Sequence, residues 1–505
     1  MKNENISSLI TALVKYGIDN QLIISDDAVY SRNRIMAVLG MNDFDEEHDE
    51  CDASMSLADI LDGILEWAAE NGVLESNTST YRDLLDTEIM ACLMPRPSEV
   101  INKYNELYAE DKKKATDYYY NLSKASNYIR VDRIKKDVLW KTKTKYGELI
   151  ITINLSKPEK DPKAIAAAKN MPSSKYPKCL LCKENEGYKG TLSHPARGNH
   201  RIIPMTVDGE KWFMQYSPYV YYNEHCIFFK GEHTPMAVNR KSFKRLLELV
   251  TLLPHYFVGS NADLPIVGGS ILAHDHFQGG CAQFPMAEAP IYKKVSFKGY
   301  EDIEAGLVDW PMSVIRLAST DKEKMVDLAD KILCRWRAYS DESVGIYAFS
   351  GETPHNTITP IARFRNGKFE LDLVLRNNRT DDEHPLGIFH PHNQYHNIKK
   401  ENIGLIEVMG LAIFPSRLKE ELKRIEYYLL NQDKEEELFN DDALKVHADW
   451  YKTLKEKNPT AENVEQIVRD SVGDVFAHIL ENAGVYKRDE IGENAFLAFV
   501  ESCNK

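Results

Sequence analysis

The residues best suited to chemistry lie in one short segment, residues 268–280, which reads GGSILAHDHFQGG. If this segment is a β-strand, His274, His276 and Gln278 share one face, because side chains along a strand alternate between its two faces. Glycines at both ends would let a ligand approach the backbone closely. The sequence therefore predicts a site with two imidazoles and one amide along a single wall.

A neutral imidazole is a competent nucleophile toward phosphorus when a carbonyl accepts its Nδ1 proton and leaves Nε2 free. In this pattern His276 would attack phosphorus. The amide of Gln278 would donate to a phosphoryl oxygen whose charge grows in the transition state. The alternative is a pair of histidines with ordinary hydrogen bonds, because the three fixed positions of H-x-H-x-Q are easily matched by chance.

The same five-residue pattern occurs a second time, as HPHNQ at residues 390–394, with His390 and His392 as its histidines. The first copy lies in an apolar segment flanked by glycines. The second lies among Asp, Glu, His and Asn residues ahead of a predicted helix, where solvated loop histidines are expected. We therefore favour the first copy as the functional one.

A pair of cysteines, Cys179 and Cys182, has the two-residue gap that suits a metal site. Two thiolates at this spacing can bind one tetrahedral zinc ion with two further ligands. His233 and His274 are the natural completions, and a closed structural site of this kind would hold the start of the strand that carries His276. The alternative is two reduced, buried cysteines, since a CxxC pair alone also occurs without a metal.

The elements that position these residues follow from periodicity. Residues 4–126 show the apolar spacing of helices, and a period of two begins at Val138. The predicted strands, including a first hairpin and a later hairpin around Asn366-Gly367, are residues 140–145, 149–155, 212–215, 226–230, 269–278, 357–365 and 368–376. A helix is predicted over residues 241–256, and the chain after Asn402 is predicted to be helical to its end.

This order of helices, sheet, sheet and helices predicts an α+β fold rather than alternating βαβ units. The two β-rich stretches could be diverged copies of one module. Neither the Rossmann fingerprint nor the P-loop is present, so phosphate must be bound in another way.

The formal charge of −14 over 505 residues argues against a nucleic-acid surface, which needs clustered Lys and Arg. A small phosphorylated ligand needs only a local basic lining. Candidates for that lining are Arg197, Arg201, Lys230, Arg363, Arg365 and Arg376. The chain shows no membrane-spanning stretch and no secretory signal, and its eight cysteines are thinly spread, so we expect reduced thiols and a cytoplasmic location.

Four segments together resemble the galactose-1-phosphate uridylyltransferase family, in its long Gram-positive form, within the histidine-triad superfamily. They are CLLC at Cys179, KGEH ending at His233, AHDHFQGG around His276, and KKENIGLIEVMGLAIFP at residues 399–415. The resemblance implies an α+β fold of two histidine-triad-like halves with antiparallel sheets, flanked by helical regions at both termini. The implied divisions are residues 1–126, 127–300, 301–420 and 421–505.

The activity implied by this resemblance is ping-pong transfer of UMP from UDP-glucose to galactose 1-phosphate, through a covalent uridylyl group on His276. Gln278 would steady that intermediate, and Glu407 would contact sugar hydroxyls. Arg201 and Ser270 are further candidate substrate contacts, although Ser270 matches the family serine only after a one-residue shift. A zinc ion at the Cys179 site, no organic cofactor and a homodimer are also expected.

Paired histidines for a second metal occur on a late strand of better-known members, whereas residues 370–373 read ELDL here. A second metal is therefore not expected, although His355 is nearby. The rival interpretations are a sugar-nucleotide phosphorylase, a histidine-triad nucleotide hydrolase and a non-catalytic, zinc-stabilised binding protein. Gln278 argues against the hydrolase, because hydrolases of that superfamily usually carry a third histidine at this position.

Overall fold

The computed structural model describes residues 5–46, 54–155, 175–269 and 271–505. The candidate substrate contact Ser270 lies outside the described residues. The described helices before the sheets are α1 Ile6–Asp19, α2 Ala28–Val38, α3 Leu57–Glu70, α4 Ser79–Ala91, α5 Pro97–Glu110, α6 Lys112–Ala125 and α7 Val131–Ile134. The predicted helical N-terminal region is therefore confirmed. Helix α1 shows why these segments are helical, since Leu9, Ile10 and Leu13 form one buried stripe.

The strands and the helices among them follow, and all bounds are given in chain order. The strands are β1 Val138–Thr144, β2 Gly147–Ile153, β3 Ile203–Val207, β4 Glu210–Tyr216, β5 Cys226–Lys230, β6 Phe257–Gly259, β7 His276–Gly280, β8 Ile291–Val295, β9 Glu304–Val308, β10 Val314–Ser319, β11 Phe349–Ser350, β12 Thr353–Pro354, β13 Asn356–Arg365, β14 Lys368–Asn377 and β15 Leu411–Phe414. The helices are α8 Arg240–Leu252, α9 Pro285–Glu288, α10 Lys322–Arg337, α11 Leu405–Val408, α12 Arg417–Leu430, α13 Glu435–Asn440, α14 Ala448–Lys455, α15 Val464–Ala483 and α16 Glu490–Ser502.

Ten of the described strands form one antiparallel sheet in the order β3-β4-β5-β7-β6-β13-β14-β10-β9-β8. The order shows a duplication. Read from its outer edge to the centre, the first unit is β3-β4-β5-β7-β6 and the second is β8-β9-β10-β14-β13. Helix α8 precedes β6 in the first unit, and α10 precedes β13 in the second. Both helices pack on β13 and on each other. The α+β class is confirmed. The matching strand orders support the suggestion that the two β-rich stretches are copies of one module, although the hairpin β1–β2 belongs to a separate sheet with β15.

The register at the centre of the sheet shows which residues of the two units lie in one row across the strands. Gln278 lies opposite Gly259, which lies opposite Ile361. Ile361 in turn lies opposite Asp372. Directly opposed residues share one face of an antiparallel sheet. Gln278, Gly259, Ile361 and Asp372 therefore lie in one row on the same face of the sheet, and Glu370 lies on that face two residues before Asp372.

The two faces of the sheet are covered differently. The face that bears Phe277 and Leu371 packs on α8, α10 and the N-terminal helices in one large apolar cluster. The face that bears His276 is covered over the second unit by β1, β2 and the C-terminal helices, through residues such as Leu405. Over the first unit, the same face carries a small cluster that contains Leu181 and Phe229. The C-terminal cover and this small cluster therefore lie on the same face as His276.

The helical region predicted after Asn402 is interrupted, because residues 411–414 form strand β15, which pairs in parallel with β2. Strands β3, β6, β8, β9 and β10 were not predicted. Short apolar runs such as these cannot be assigned from local periodicity alone, because a buried strand and a helix turn look alike over four to six residues. The hairpin at Asn366-Gly367 is confirmed, with φ values of 54° and 76°, as its turn type requires.

No helix within the described ranges is long and apolar enough to cross a membrane. The domain divisions at residues 126, 300 and 420 remain a proposal. In strand order, the second unit begins with Ile291.

In the second unit, strand β14 carries an ion-pair network on the face of the sheet that also bears His276 and Gln278. Asp372 accepts hydrogen bonds from Arg316 at 2.7 and 3.0 Å and from Arg363 at 2.9 Å. Burial alone would raise the pKa of Asp372, but the two guanidinium groups hold that pKa below its ordinary value. Arg363 also donates to Glu370 at 2.6 Å. The late-strand carboxylates are thus bound by arginines.

We predict that Asp372→Ala lowers the free energy of unfolding by about 3–5 kcal/mol, because it leaves two buried guanidinium groups without their shared carboxylate. Urea unfolding monitored by circular dichroism measures this change. Glu288→Ala is the matched control, since Glu288 pairs with Arg365 at 3.0 Å but has a side chain that is 57% exposed. A control loss above about 1 kcal/mol, or a small loss at Asp372, would contradict this account of the network.

Candidate active site and metal centre

The Cys179–Cys182 segment is a turn that side-chain hydrogen bonds hold in place. The amide of Asn185 donates to the carbonyl oxygens of both cysteines at 2.8 Å. Leu181, between the cysteines, is buried against Phe229, and Phe229 lies opposite His276 in the sheet. The turn is therefore anchored directly beside the candidate nucleophile.

The structure brings together all four predicted metal ligands. Their ligand atoms lie within 4.8 Å of one another. Cys179 Sγ lies 3.5 Å from Cys182 Sγ and 3.2 Å from His274 Nδ1, and Cys182 Sγ lies 3.2 Å from His233 Nδ1. A tetrahedral zinc ion with two sulfur and two nitrogen ligands needs ligand atoms roughly 3.3–3.8 Å apart. The cluster is compatible with zinc.

A hydrogen bond at Nε2 of His274 supports a ligand role for Nδ1 of the same ring. His274 Nε2 donates to the backbone carbonyl of Lys230 at 2.8 Å, so a neutral ring presents an unprotonated Nδ1 to the cluster. An outer hydrogen bond of this kind is typical of metal-binding histidines, since it fixes both the tautomer and the ring orientation.

The sequence prediction for His274 needs correction in one respect. A strand was predicted from residue 269 to residue 278, whereas β7 begins only at His276. Before that point the chain leaves the regular ladder: the N–H of Asp275 donates to the carbonyl of Thr234 at 2.7 Å, and the ring of His274 points at the cysteines. His274 therefore belongs to the metal cluster rather than to one wall with His276.

A hydrogen bond to the backbone of His274, two residues earlier, holds the ring of His276. Its Nδ1 donates to the backbone carbonyl of His274 at 2.7 Å, and a carbonyl can only accept. His276 is 6% exposed, and burial lowers the pKa of its ring to about 4. The imidazole is thus neutral with its proton on Nδ1, and Nε2 keeps the lone pair that a nucleophile needs.

Gln278 follows His276 on the same face of β7 and lies between Ile227 of β5 and Gly259 of β6. Its side chain meets a residue that the sequence analysis missed: Gln278 Oε1 lies 3.1 Å from His225 Nε2. The sequence did show that His225 immediately precedes a predicted strand. Local patterns do not show with which distant strand this predicted strand pairs, so the contact with Gln278 could not be inferred.

The other predicted substrate contacts are engaged within the protein. Arg201 donates to the carbonyls of Pro95, Gly198 and His200 at 2.9, 3.1 and 2.7 Å. Glu407 pairs with Lys399 at 3.1 Å and accepts from the N–H of Gly404 at 3.1 Å. Their roles toward substrate, like that of the undescribed Ser270, stay predictions.

Helix α11, which carries Glu407, is nevertheless attached to the central strands beside the site. The N–H of Leu405 donates to Asn261 Oδ1 at 3.0 Å. A Cβ atom built on Gly259 would come within 2.8 Å of Leu405 Cδ1. Gly259 is the β6 neighbour of Gln278, so the start of α11 lies one strand away from the candidate catalytic amide.

The second copy of the histidine pattern has no strand. His390 is 3% exposed, and its Nε2 lies 3.1 Å from Asn402 Oδ1. His392 Nε2 donates to the carbonyl of Ile388 at 3.0 Å, so that nitrogen is protonated rather than nucleophilic. These contacts are those of structural histidines and favour the first copy.

Arg376 is the basic candidate with the most unusual surroundings. It is 1% exposed, and it donates to the carbonyl of Ile403 at 2.9 Å and to Thr359 Oγ1 at 3.3 Å. Burial lowers its pKa to about 10. By contrast, Lys230 and Arg363 contact carboxylates directly.

A buried histidine with its proton on Nδ1 lies next to a cluster of two thiols and two imidazoles, an arrangement that suits an enzyme of nucleophilic group transfer. The chain matches two sequence profiles, "Galactose-1-phosphate uridyl transferase, N-terminal domain" over residues 21–235 and the C-terminal domain of the same family over residues 250–452. It belongs to the galactose-1-phosphate uridylyltransferase family.

Curated relatives are similar over their whole length. The chain is 54% identical to the galactose-1-phosphate uridylyltransferase of Fusobacterium nucleatum over 501 residues, covering 98% of each chain. It is 53% identical to that of Clostridium acetobutylicum, covering 99% of each. It is 52% identical to that of Bacillus subtilis, covering 97% of this chain and 96% of the relative.

We predict that the purified protein contains about one zinc ion per chain, and that a Cys179→Ser, Cys182→Ser double variant loses the ion together with thermal stability. The physical reason is that binding to a site formed only in the folded state is folding free energy. Elemental analysis and thermal melts measure both quantities, and Cys334→Ser, at an exposed free thiol, is the control. A fully active, metal-free preparation would contradict the prediction.

Proposed function

We propose that this chain transfers UMP from UDP-glucose to galactose 1-phosphate through a covalent uridylyl group on His276. The observation that carries the proposal is the 2.7 Å hydrogen bond from His276 Nδ1 to the carbonyl of His274, which leaves Nε2 as the free nitrogen. The relatives at 52–54% identity bear the name of this activity.

In the first half-reaction, Nε2 of His276 attacks the α-phosphorus of UDP-glucose. A P–N bond forms, the bond from phosphorus to the bridging oxygen breaks, and glucose 1-phosphate leaves with that electron pair. A phosphate leaving group needs little help from a general acid, so catalysis consists mainly of positioning and charge stabilisation. The ring becomes cationic as the bond forms, and the His274 carbonyl that accepts the Nδ1 proton's hydrogen bond stabilises that charge.

In the second half-reaction, a phosphate oxygen of galactose 1-phosphate attacks the same phosphorus atom, the P–N bond breaks, and His276 returns to its neutral form. Gln278 donates an amide hydrogen to the phosphoryl oxygen in both directions, where charge grows in the transition state. Glu407, Arg201 and Ser270 are the proposed substrate contacts, and UDP-galactose is the product.

We also propose that the metal cluster binds zinc in a structural role. Four protein ligands close a tetrahedral site and leave no open position for water or substrate. The contribution of Cys179, Cys182, His233 and His274 is then to fix the backbone of His274, whose carbonyl orients His276. Thiol ligands must stay reduced, which supports a cytoplasmic location. A homodimer is expected, and light scattering measures its mass.

We predict that His276→Ala abolishes transfer and that His392→Ala leaves most of it, because His392 Nε2 is bonded to a carbonyl rather than free. Each variant is assayed for conversion of UDP-glucose and galactose 1-phosphate to UDP-galactose. An inactive His392→Ala together with an active His276→Ala would show that the wrong copy of the motif was chosen.

Incubation of the wild type with UDP-glucose alone separates the rival functions. The transferase accumulates uridylyl-protein, which galactose 1-phosphate clears as UDP-galactose. A phosphorylase would instead clear the label as UDP when inorganic phosphate is added. A hydrolase would release UMP without an acceptor, and a binding protein would form no adduct.

We predict that substitutions of His276, the proposed nucleophile, and of Gln278, the proposed stabiliser, impair the reaction in different ways. Gln278→Ala keeps the attacking atom but loses a donor aimed at developing charge, so labelling should continue at a rate about 10²–10³ lower. His276→Gly removes the attacking atom, so no adduct forms, although added imidazole could fill the cavity and restore turnover. Mass spectrometry with fragmentation locates the adduct. An adduct on His274 or His392, or turnover by His276→Gly without imidazole, would contradict the mechanism.

A further inference from the structure

His225 immediately precedes β5, at the end of a loop that a backbone hydrogen bond closes. The next residue, Cys226, lies opposite Gly279, so His225 is beside the end of β7 that follows Gln278. The N–H of Ser217 donates to the carbonyl of His225 at 2.8 Å. The preceding residue, Glu224, adopts a left-handed φ of 55°, which turns the chain sharply into the strand.

The ring of His225 is buried and is held between aromatic neighbours. It is 3% exposed, and its centroid lies 4.5 Å from that of Tyr222 and 5.6 Å from that of Tyr221. Its Nδ1 lies 3.0 Å from the carbonyl oxygen of Tyr219. Because a carbonyl only accepts, Nδ1 carries a proton. The ring therefore points Nε2 in one fixed direction, and that direction is toward Gln278.

The protonation of the ring determines what Gln278 does. Burial lowers the pKa of His225 to about 4, so the ring is neutral near pH 7 and Nε2 is an acceptor. The atom placed 3.1 Å from that nitrogen is Gln278 Oε1, and an amide oxygen cannot donate to an acceptor nitrogen. Amide oxygen and nitrogen exchange places by a half-turn of the terminal bond. A neutral His225 therefore selects the orientation in which the Gln278 nitrogen donates to Nε2.

An amide nitrogen has two hydrogens, so this contact leaves a second donor available. We propose that His225 is a positioning residue that holds the Gln278 amide and so directs its remaining N–H to the phosphoryl oxygen. The inference rests on the proposed function of the site. A glutamine side chain is flexible, and fixing it before the reaction removes an entropic cost that would otherwise fall on the transition state.

Two substitutions of His225 distinguish the contact of Nδ1 with Tyr219 from the contact of Nε2 with Gln278. Asparagine places its amide near the position of Nδ1, so His225→Asn keeps the bond to the Tyr219 carbonyl but cannot reach Gln278. Glutamine reaches the position of Nε2, so His225→Gln keeps a partner for the Gln278 amide. We predict that His225→Asn slows the formation of uridylyl-His276 roughly 10- to 100-fold at saturating UDP-glucose, whereas His225→Gln stays within about 3-fold of wild type.

A double-mutant cycle then tests whether His225 acts through Gln278. In the Gln278→Ala background, His225→Asn should cause no further loss of the labelling rate, because the group that it positions is gone. His200→Asn is the matched control. His200 is another buried histidine, three residues before β3, and its Nε2 lies 3.1 Å from Gln215 Oε1 on β4. Any loss of labelling rate that His200→Asn causes should be the same in the wild-type and Gln278→Ala backgrounds.

Equal losses from His225→Asn in the wild-type and Gln278→Ala backgrounds would overturn the proposal, as would an unimpaired His225→Asn variant. A His225→Gln variant as slow as His225→Asn while melting at the wild-type temperature would do the same. Failure of the proposed function is a separate result, because the wild type itself would then form no adduct on His276. Thermal melts of every variant establish that the rates belong to folded protein.

Discussion

The hydrogen bond between His276 Nδ1 and the carbonyl of His274 joins the two functional parts of this site. His274 offers its ring to the Cys179 cluster and its backbone oxygen to His276. One residue therefore connects the thiol–imidazole cluster to the proposed nucleophile. Because the carbonyl of His274 holds Nδ1 of His276, a shift of the cluster would also move the imidazole. In the proposed mechanism, a zinc ion bound by this cluster would act on the reaction through the orientation of that ring.

The two units of the sheet differ in the charge of the side chains beside its centre. In the first unit, β7 carries His276 and Gln278, and the neighbouring strands supply uncharged partners such as Gly259 and Ile227. In the second unit, the same face of β14 carries Glu370 and Asp372, which pair with arginines. Carboxylates held in this way are engaged within the sheet, which fits a structural role for the second unit and leaves the proposed chemistry to the first.

The four residues of the thiol–imidazole cluster could be predicted from the sequence, because that prediction depends on residue type and short spacing, whereas the nucleophilic role of His276 stays a prediction. The hairpin at Asn366-Gly367 was predictable for the same reason, since its turn needs two residues that accept positive φ. The failures concern pairing between distant segments. Nothing near Leu411 indicates that it lies beside β2, and nothing near His225 indicates that its ring meets Gln278. The late start of β7 was also hidden, because it results from bonds that His274 and Asp275 make with residues 230–234.

The C-terminal part of the chain bears on the site through one close approach. Glu407 accepts the N–H of Gly404 at the start of α11, and Leu405, the next residue, packs on Gly259 while its N–H bonds to Asn261. A Cβ atom at position 259 would come within 2.8 Å of Leu405 Cδ1, so a larger residue there would require Leu405 to move. Since Gly259 lies opposite Gln278, this contact brings the C-terminal cover close to the amide that we propose binds the phosphoryl group. Residues far apart in the sequence thus meet one strand away from the proposed reaction centre.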